Sequence, residues 1–198
     1  MAAVDFFRRG RKQVTIAHFD HGTDHGLEAR EFVQAYADKN RIPHIVGEIR
    51  GDKPLGMSWE EWWRDQRYEF LNGLPGPVMT AHTLDDAAEW WVYTSLHGTP
   101  RLIPRDNGKI IRPFLLTEKR ALLRWCSRHE VPYLVDPTNA NGPYMRTLVR
   151  HQIMPTAHQI NPGLRTVIRK KYSAGPDMLA STDPIRPMDV PEQLRLDF

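Results

Sequence analysis

Cysteine is nearly absent. Cys126 stands alone among 198 residues, so neither an intramolecular disulfide nor a CxxC metal or redox pair can form within one chain. Long hydrophobic runs are missing too. No apolar stretch approaches the roughly 20 residues needed to span a bilayer, and the opening MAAVDFFRRGRK lacks the charged, apolar, small order of a secretory signal. These absences predict a cytoplasmic protein with no membrane partner. A third deficit is local: from Pro143 to Tyr172 there is no Asp or Glu, while Arg146, Arg150, Arg165, Arg169, Lys170 and Lys171 crowd the same span. Phosphate is the natural partner of such a stretch, and a solvated basic face is the plain alternative.

What is present is ordinary for a soluble globular chain, with 40% hydrophobic and 26% charged residues. The length suits one core of usual size. The formal charge of +3 is unevenly spread. Ser173 to Phe198 holds five acids against Arg186 and Arg195, a local −3; removing it from the whole leaves +6 on residues 1 to 172. Pro176, Pro184, Pro187 and Pro191 with scattered acids cannot bury a core. The expected organisation is a folded domain over residues 1–172 and a Pro-rich acidic tail, disordered, over 173–198.

Periodicity gives alternating elements. A short helix is expected over Ala2 to Arg9, a strand over Val14 to Phe19, a helix over Asp24 to Asn40 and a strand over His44 to Ile49. Ser58 and Glu61 form an SxxE helix start, and the helix that follows places Trp59, Trp62, Trp63 and Tyr68 on or near a buried face. Val78 to Ala81 reads as a short buried strand. Thr83 then caps a helix through TxxD, and Gly98 supplies its left-handed end. Asn107-Gly108 marks a hairpin, Thr117 caps a helix to about His129, and Tyr133 to Val135 makes a last strand. Pro143 starts a basic helix that Pro155 closes. Strands alternating with helices imply an α/β fold, a doubly wound, mostly parallel sheet with helices on both faces.

The chemistry concentrates in Val78 to Gly98. Asp86 and Glu89 share one helix face at the mouth of a strand-to-helix turn, where open α/β sheets bind ligands. Acids in a first helical turn, Asp85 and Asp86 among them, also serve simply as dipole partners. Glu89 lies deeper, among Ala87, Ala88, Trp90 and Trp91. An acid in so apolar a setting wants a cation: a metal, an ammonium group or an Arg.

Five segments in this order resemble the tRNA(Ile)-lysidine synthetases, N-type ATP pyrophosphatases of the PP-loop superfamily. AHFDHG (17–22) is similar to the family's strand and His-Gly turn, RDQRY (64–68) to its RxxRY, and TAHTLDDAAE (80–89) to its GHxxDDxxET. IRPFLLTEK (111–119) is similar to its RPLL segment and DPTNANGPYMRTLVRHQIMP (136–155) to its DxSNxxxxYxRNxIRxxxxP. The likeness spans roughly residues 1 to 165. Departures are Thr147 for Asn, Trp90 for Thr, and Thr23-Asp24 for Leu-Arg. The family's first strand and SGGxDS loop, whose amides hold the ATP phosphates, would precede Met1. An internal start, a loop from another chain, or loss of ATP binding would each account for that.

The resemblance implies an adenine nucleotide alpha hydrolase-like fold and a ligase that uses ATP and Mg²⁺ to adenylate the anticodon cytidine of tRNA and then attaches L-lysine. It implies Asp86 and Glu89 as binders of Mg²⁺ or the lysine ammonium. Arg64 and Arg67 would hold phosphate or substrate carboxylate; a salt bridge within their own helix is the alternative. His21, His82, Arg112, Lys119, Asn139, Arg146 and Arg150 would bind substrate or tRNA, although His21 and His82 also suit hydrogen-bonded turn residues. Related pyrophosphatases that thiolate tRNA usually carry CxxC pairs, which a single cysteine disfavours. The competing class is a non-catalytic tRNA- or nucleic-acid-binding relative that has lost the ATP loop. Separately, Gln193 to Phe198 (QLRLDF) resembles the short motif by which bacterial proteins bind the replication sliding clamp; folding back on its own domain is the alternative.

Overall fold

The computed structural model describes residues 1–135 and 145–174, with backbone only for Asp24, Glu60, Met145 and Arg146. Pro143, Asn139 and the tail segment from residue 175, including Gln193 to Phe198, lie outside the described residues, as does the Arg146 side chain. The described residues form two compact units, residues 1–78 with 123–135, and residues 79–122 with 145–174.

In the first unit, α1 (Ala2–Arg9) is tied to α2 (Asp24–Asn40) by Arg8, which donates to the Asn40 side chain at 3.0 Å and its carbonyl at 3.1 Å. Asp5, 8% exposed, accepts from Arg9 and from the Trp125 indole at 2.9 Å. Buried polar groups persist only with such partners. Strands β1 (Ile16–Asp20) and β2 (His44–Glu48) pair in parallel, Ile16 against His44 through Asp20 against Glu48. The pairing begins where the Ile16 amide meets the Pro43 carbonyl, which is why the strand starts two residues later than Val14. Helix α3 (Trp59–Gly73) has the expected cap, Ser58 accepting from the Glu61 amide. Its Phe70 lies against Phe19, and Gly47 of β2 lets it approach: a Cβ there would fall 2.4 Å from the Phe70 ring. Trp62 is buried as expected, but Trp59 is 53% exposed.

The second unit begins within the two-residue strand β3 (Val78–Met79), which pairs with β4 (Ile110–Ile111), and the Thr80 amide bonds the Ile111 carbonyl. The Asn107-Gly108 turn forms: Gly108 takes φ +85°, Asn107 accepts from the Ile110 amide, and Asp106 bridges Ile111 antiparallel. Helix α4 (Leu84–Leu96) buries Leu84, Ala87 and Ala88 against Ile103, Leu115, Val149, Met154 and Ile168. Each large side chain removed from water there contributes roughly 1.5–3 kcal/mol. Gly98, φ +98°, follows the His97 cap as expected.

Three expectations are corrected. Residues 131–135 form no strand; Val131 closes helix α5 (Lys119–His129) by donating to Cys126, and Val135 is 75% exposed. A three-residue apolar run without a ladder partner leaves its backbone to water. Helix α5 starts at Lys119 without Thr117 as its cap; Thr117 instead accepts from the Leu84 amide. Nor does Pro155 close the basic helix. Helix α6 (Met145–Leu148) runs into a π-helical turn (Val149–Ile153) and on into α7 (Met154–Ile160), with Pro155 in its first turn. Proline has no amide to bond the carbonyl four back and clashes with it, and the wider i→i+5 turn, Met154 N to Val149 O, relieves that strain. Helix α8 (Leu164–Ser173) packs on α4.

Candidate active site

The site is built on the first turn of α4. Thr83 and Asp86 form a reciprocal capping box: the Asp86 carboxylate accepts from the Thr83 amide and hydroxyl, both at 2.7 Å, and Thr83 Oγ1 accepts from the Asp86 amide. Two donors on one oxygen, Oδ2, aim the carboxylate. One turn on, Glu89 is 5% exposed. Its cation is Arg150, from the π-helical turn: Nε donates to Oε2 at 2.8 Å and Nη2 to Oε1 at 3.4 Å, a two-pronged pair. Arg150 also stands 3.9 Å from Asp86.

Asp85 does not serve its own helix. It accepts from the Lys119 amide at 2.6 Å, capping α5, and from Arg165 of α8 through Nε at 3.0 Å and Nη2 at 2.7 Å. Burial raises its carboxyl pKa, but the Lys119 amide and Arg165 outweigh burial and hold it below the usual carboxylate range. Arg169, one turn beyond Arg165, donates to the Leu116 carbonyl at 3.4 Å and stands 3.9 Å from Glu118. The basic stretch is therefore folded onto the acids of α4 and the α5 approach: Arg150 on Glu89, Arg165 on Asp85, Arg169 by Glu118. Sequence reasoning missed Asp85 and Arg165 as a pair; the one signal was complementary, an acid-free basic segment and a DDxxE turn in the same chain.

The other expected residues are distributed differently. Arg112 is 3% exposed and donates to the Pro104 carbonyl at 2.8 Å, so it is enclosed in the second unit and does not stand at the surface facing phosphate. His82 is hydrogen-bonded to Thr80 Oγ1 at 2.9 Å, in keeping with a turn residue. Lys119 is exposed and contributes its backbone amide to Asp85. In the first unit, Arg64 and Arg67 lie over the Tyr68 ring at 4.6 and 5.7 Å. His21 packs edge-on to Phe19 and Trp63, and burial, then the charge of Arg67, lowers its pKa.

The acids of α4 make a poor seat for Mg²⁺. Asp86 spends one oxygen on Thr83 and both Glu89 oxygens face Arg150. Among the described residues no group of three or more His, Cys, Asp or Glu could hold a metal ion. In this arrangement the donors do not fit the ion, since a guanidinium already supplies the positive charge. No described helix is long and apolar enough to cross a membrane.

A PP-loop domain matches residues 2–157. The chain is 35% identical over 179 residues to the tRNA(Ile)-lysidine synthase of Thermosipho africanus, covering 80% of this chain and 41% of that protein. It is 30% identical over 174 residues to that of Thermotoga maritima, covering 81% and 42%. The chain thus spans about two fifths of the length of these curated relatives. In fold it is similar to the U34-tRNA thiolase NcsA from Methanococcus maripaludis, solved with its [4Fe-4S] cluster, at a TM-score of 0.69 and 15% identity over 87% of this chain and 67% of that one. Model match, relatives and fold agree: the chain belongs to the PP-loop domain family.

Proposed function

We propose that this chain is the catalytic portion of a tRNA(Ile)-lysidine synthase-like ligase, acting on the anticodon cytidine of tRNA with ATP and lysine. The observation that carries the reading is the α4 turn. It bears Asp86 and Glu89 in a segment similar to that of the lysidine synthases, and it sets Glu89, 5% exposed, against a cation. In the reaction the cytosine C2 oxygen attacks the α-phosphate of ATP and pyrophosphate leaves. The ε-amine of lysine, once deprotonated, then attacks C2 and AMP departs. Before that step lysine is an ammonium ion, and the Asp86 oxygen that Thr83 does not take is the negative charge the site offers it. Arg64 and Arg67, over the Tyr68 ring, suit a phosphate or carboxylate.

One observation favours a second reading. Glu89 is already satisfied by Arg150, and the acids do not fit Mg²⁺ as they stand, which is what a nucleic-acid-binding relative without catalysis would look like. Incorporation of labelled lysine into tRNA(Ile) with ATP and Mg²⁺ separates the two. The assay is run on this chain and on this chain joined behind the family's SGGxDS loop. The ligase reading expects incorporation in at least one form and its loss, by 100-fold or more, in Glu89→Gln. No incorporation in either form with tRNA binding intact establishes the binding relative.

A further inference from the structure

We propose that Trp59, with Trp63 and His21 behind it and Lys53 over its ring, is a stacking platform for an unpaired base of RNA; this rests on the tRNA reading above and extends it to a place on the first unit. Trp59 occupies the same stripe of α3 as Trp62, Trp63 and Phe70, yet Trp62 is 7% exposed and Trp59 is 53% exposed. The cause is length. Phe70 sits against Phe19 of β1, and Trp59, eleven residues earlier, lies about 16 Å further along the helix axis at 1.5 Å per residue. The five-residue strand β1 spans about the same distance, and Trp63 already meets His21, one residue past its end. The stripe outruns the sheet.

What the overhang presents is a continuous row of rings. Phe19 to His21 is 5.2 Å between centroids, His21 to Trp63 6.0 Å, Trp63 to Trp59 5.7 Å and Trp59 to Trp62 5.5 Å. Lys53 Nζ stands 5.6 Å from the Trp59 centroid and is fixed there by donating to the Met57 carbonyl at 2.6 Å and the Pro54 carbonyl at 3.3 Å. Arg67 follows at roughly 80° around the helix from Trp59 and Glu60 at roughly 100°, whereas Glu61 and Asp65 fall roughly 200° and 240° away, on the other side. A half-open indole backed by aromatic rings, with Lys53 fixed over it, complements a base attached to a phosphate. Stacking accepts any base, and the lysine answers the backbone charge. The row also lies past the carboxyl ends of the parallel strands, where α/β sheets receive ligands.

The test is fluorescence anisotropy with a labelled anticodon stem-loop RNA and a blunt duplex of equal length, using the whole chain and its Trp59→Ala and Trp59→Phe variants. Trp59→Ala is expected to weaken stem-loop binding about 5- to 150-fold, the span of one lost base stack, and to leave duplex binding and the salt slope unchanged. Trp59→Phe is expected to recover most of the loss. Unchanged stem-loop affinity in Trp59→Ala overturns the platform and leaves the tRNA reading standing, whereas no RNA binding by the parent chain overturns both. Loss of self-association in Trp59→Ala, with RNA affinity unchanged, would assign the ring to a protein contact and also overturn the proposal.

Discussion

Glu89 shows what a single residue carries. The two-pronged contact with Arg150 makes it a stabilising residue as well as a candidate ligand. Glu89→Gln keeps the volume and one acceptor but leaves the guanidinium facing a neutral amide. With Arg150 32% exposed, water screens part of the loss. We expect a destabilisation of about 1–2 kcal/mol, a drop of roughly 2–8 °C in the thermal midpoint. In an Arg150→Met background the same change should cost clearly less, and equal costs would show that the pair is not coupled. His158 gives the pH sign at the same scale. Burial lowers its pKa, with Arg165 adding to the effect and Asp85 opposing it, and His18 and His21 are also lowered chiefly by burial. The unfolded chain therefore binds protons more readily than the folded one. Stability from these groups is full above the ordinary histidine pKa of about 6.5 and falls as pH drops below it. Urea midpoints between pH 8 and pH 5 should fall, and a flat profile would remove this account.

At the scale of elements, helix ends decide the site. Asp85 joins the first turn of α4 to the first amide of α5 and to Arg165 of α8. Asp85→Asn can still accept from Lys119 but loses the charge, while Asp85→Ala loses both. The expected order is Ala worse than Asn by about 1 kcal/mol, the ordinary value of a helix cap. Because the folded-state pKa of Asp85 is lowered, its contribution is present above about pH 3.9 and is lost as acid titrates it below that point; Asp85→Asn should remove that acid limb. Packing between elements is equally specific at Gly47. An added methyl would meet Phe70 Cδ2 at 2.4 Å and Cγ at 2.7 Å, atoms near the stem of the ring that cannot swing away cheaply. Gly47→Ala should therefore destabilise by about 1–3 kcal/mol, and Phe70→Leu in the same chain should recover part of it. A neutral Gly47→Ala would mean that α3 is free to lift off β2.

For the molecule as a whole, the charge map is less open than its composition suggests. Arg150, Arg165 and Arg169 face Glu89, Asp85 and Glu118, and Lys171 lies 4.4 Å from the Trp91 ring centroid. If the chain binds tRNA, Arg165→Gln should leave the slope of log affinity against log salt unchanged, because its charge is spent inside the fold. Lys170→Gln, at an exposed position, should reduce the slope by about 0.7–0.9 if it meets a phosphate. A shallower slope in Arg165→Gln would show that this arginine leaves Asp85 for the nucleic acid.

The sequence by itself determined what short-range rules govern. Thr83 and Asp86 cap α4 because TxxD closes on its own amides, Asn107-Gly108 turns because glycine accepts a positive φ, and the period of α2 marks it from Asp24 to Asn40. It also carried the family, whose PP-loop domain matches residues 2–157. Tertiary structure alone decided who partners whom. Asp85 caps a helix 34 residues away, and Arg150 reaches Glu89 across 61. Tyr133 to Val135 is left without a strand to pair with, and Trp59 is left uncovered where the sheet ends. Caps and turns are settled within four residues by backbone geometry, whereas a carboxylate's cation, a strand's neighbour and a ring's exposure depend on what the rest of the chain brings alongside.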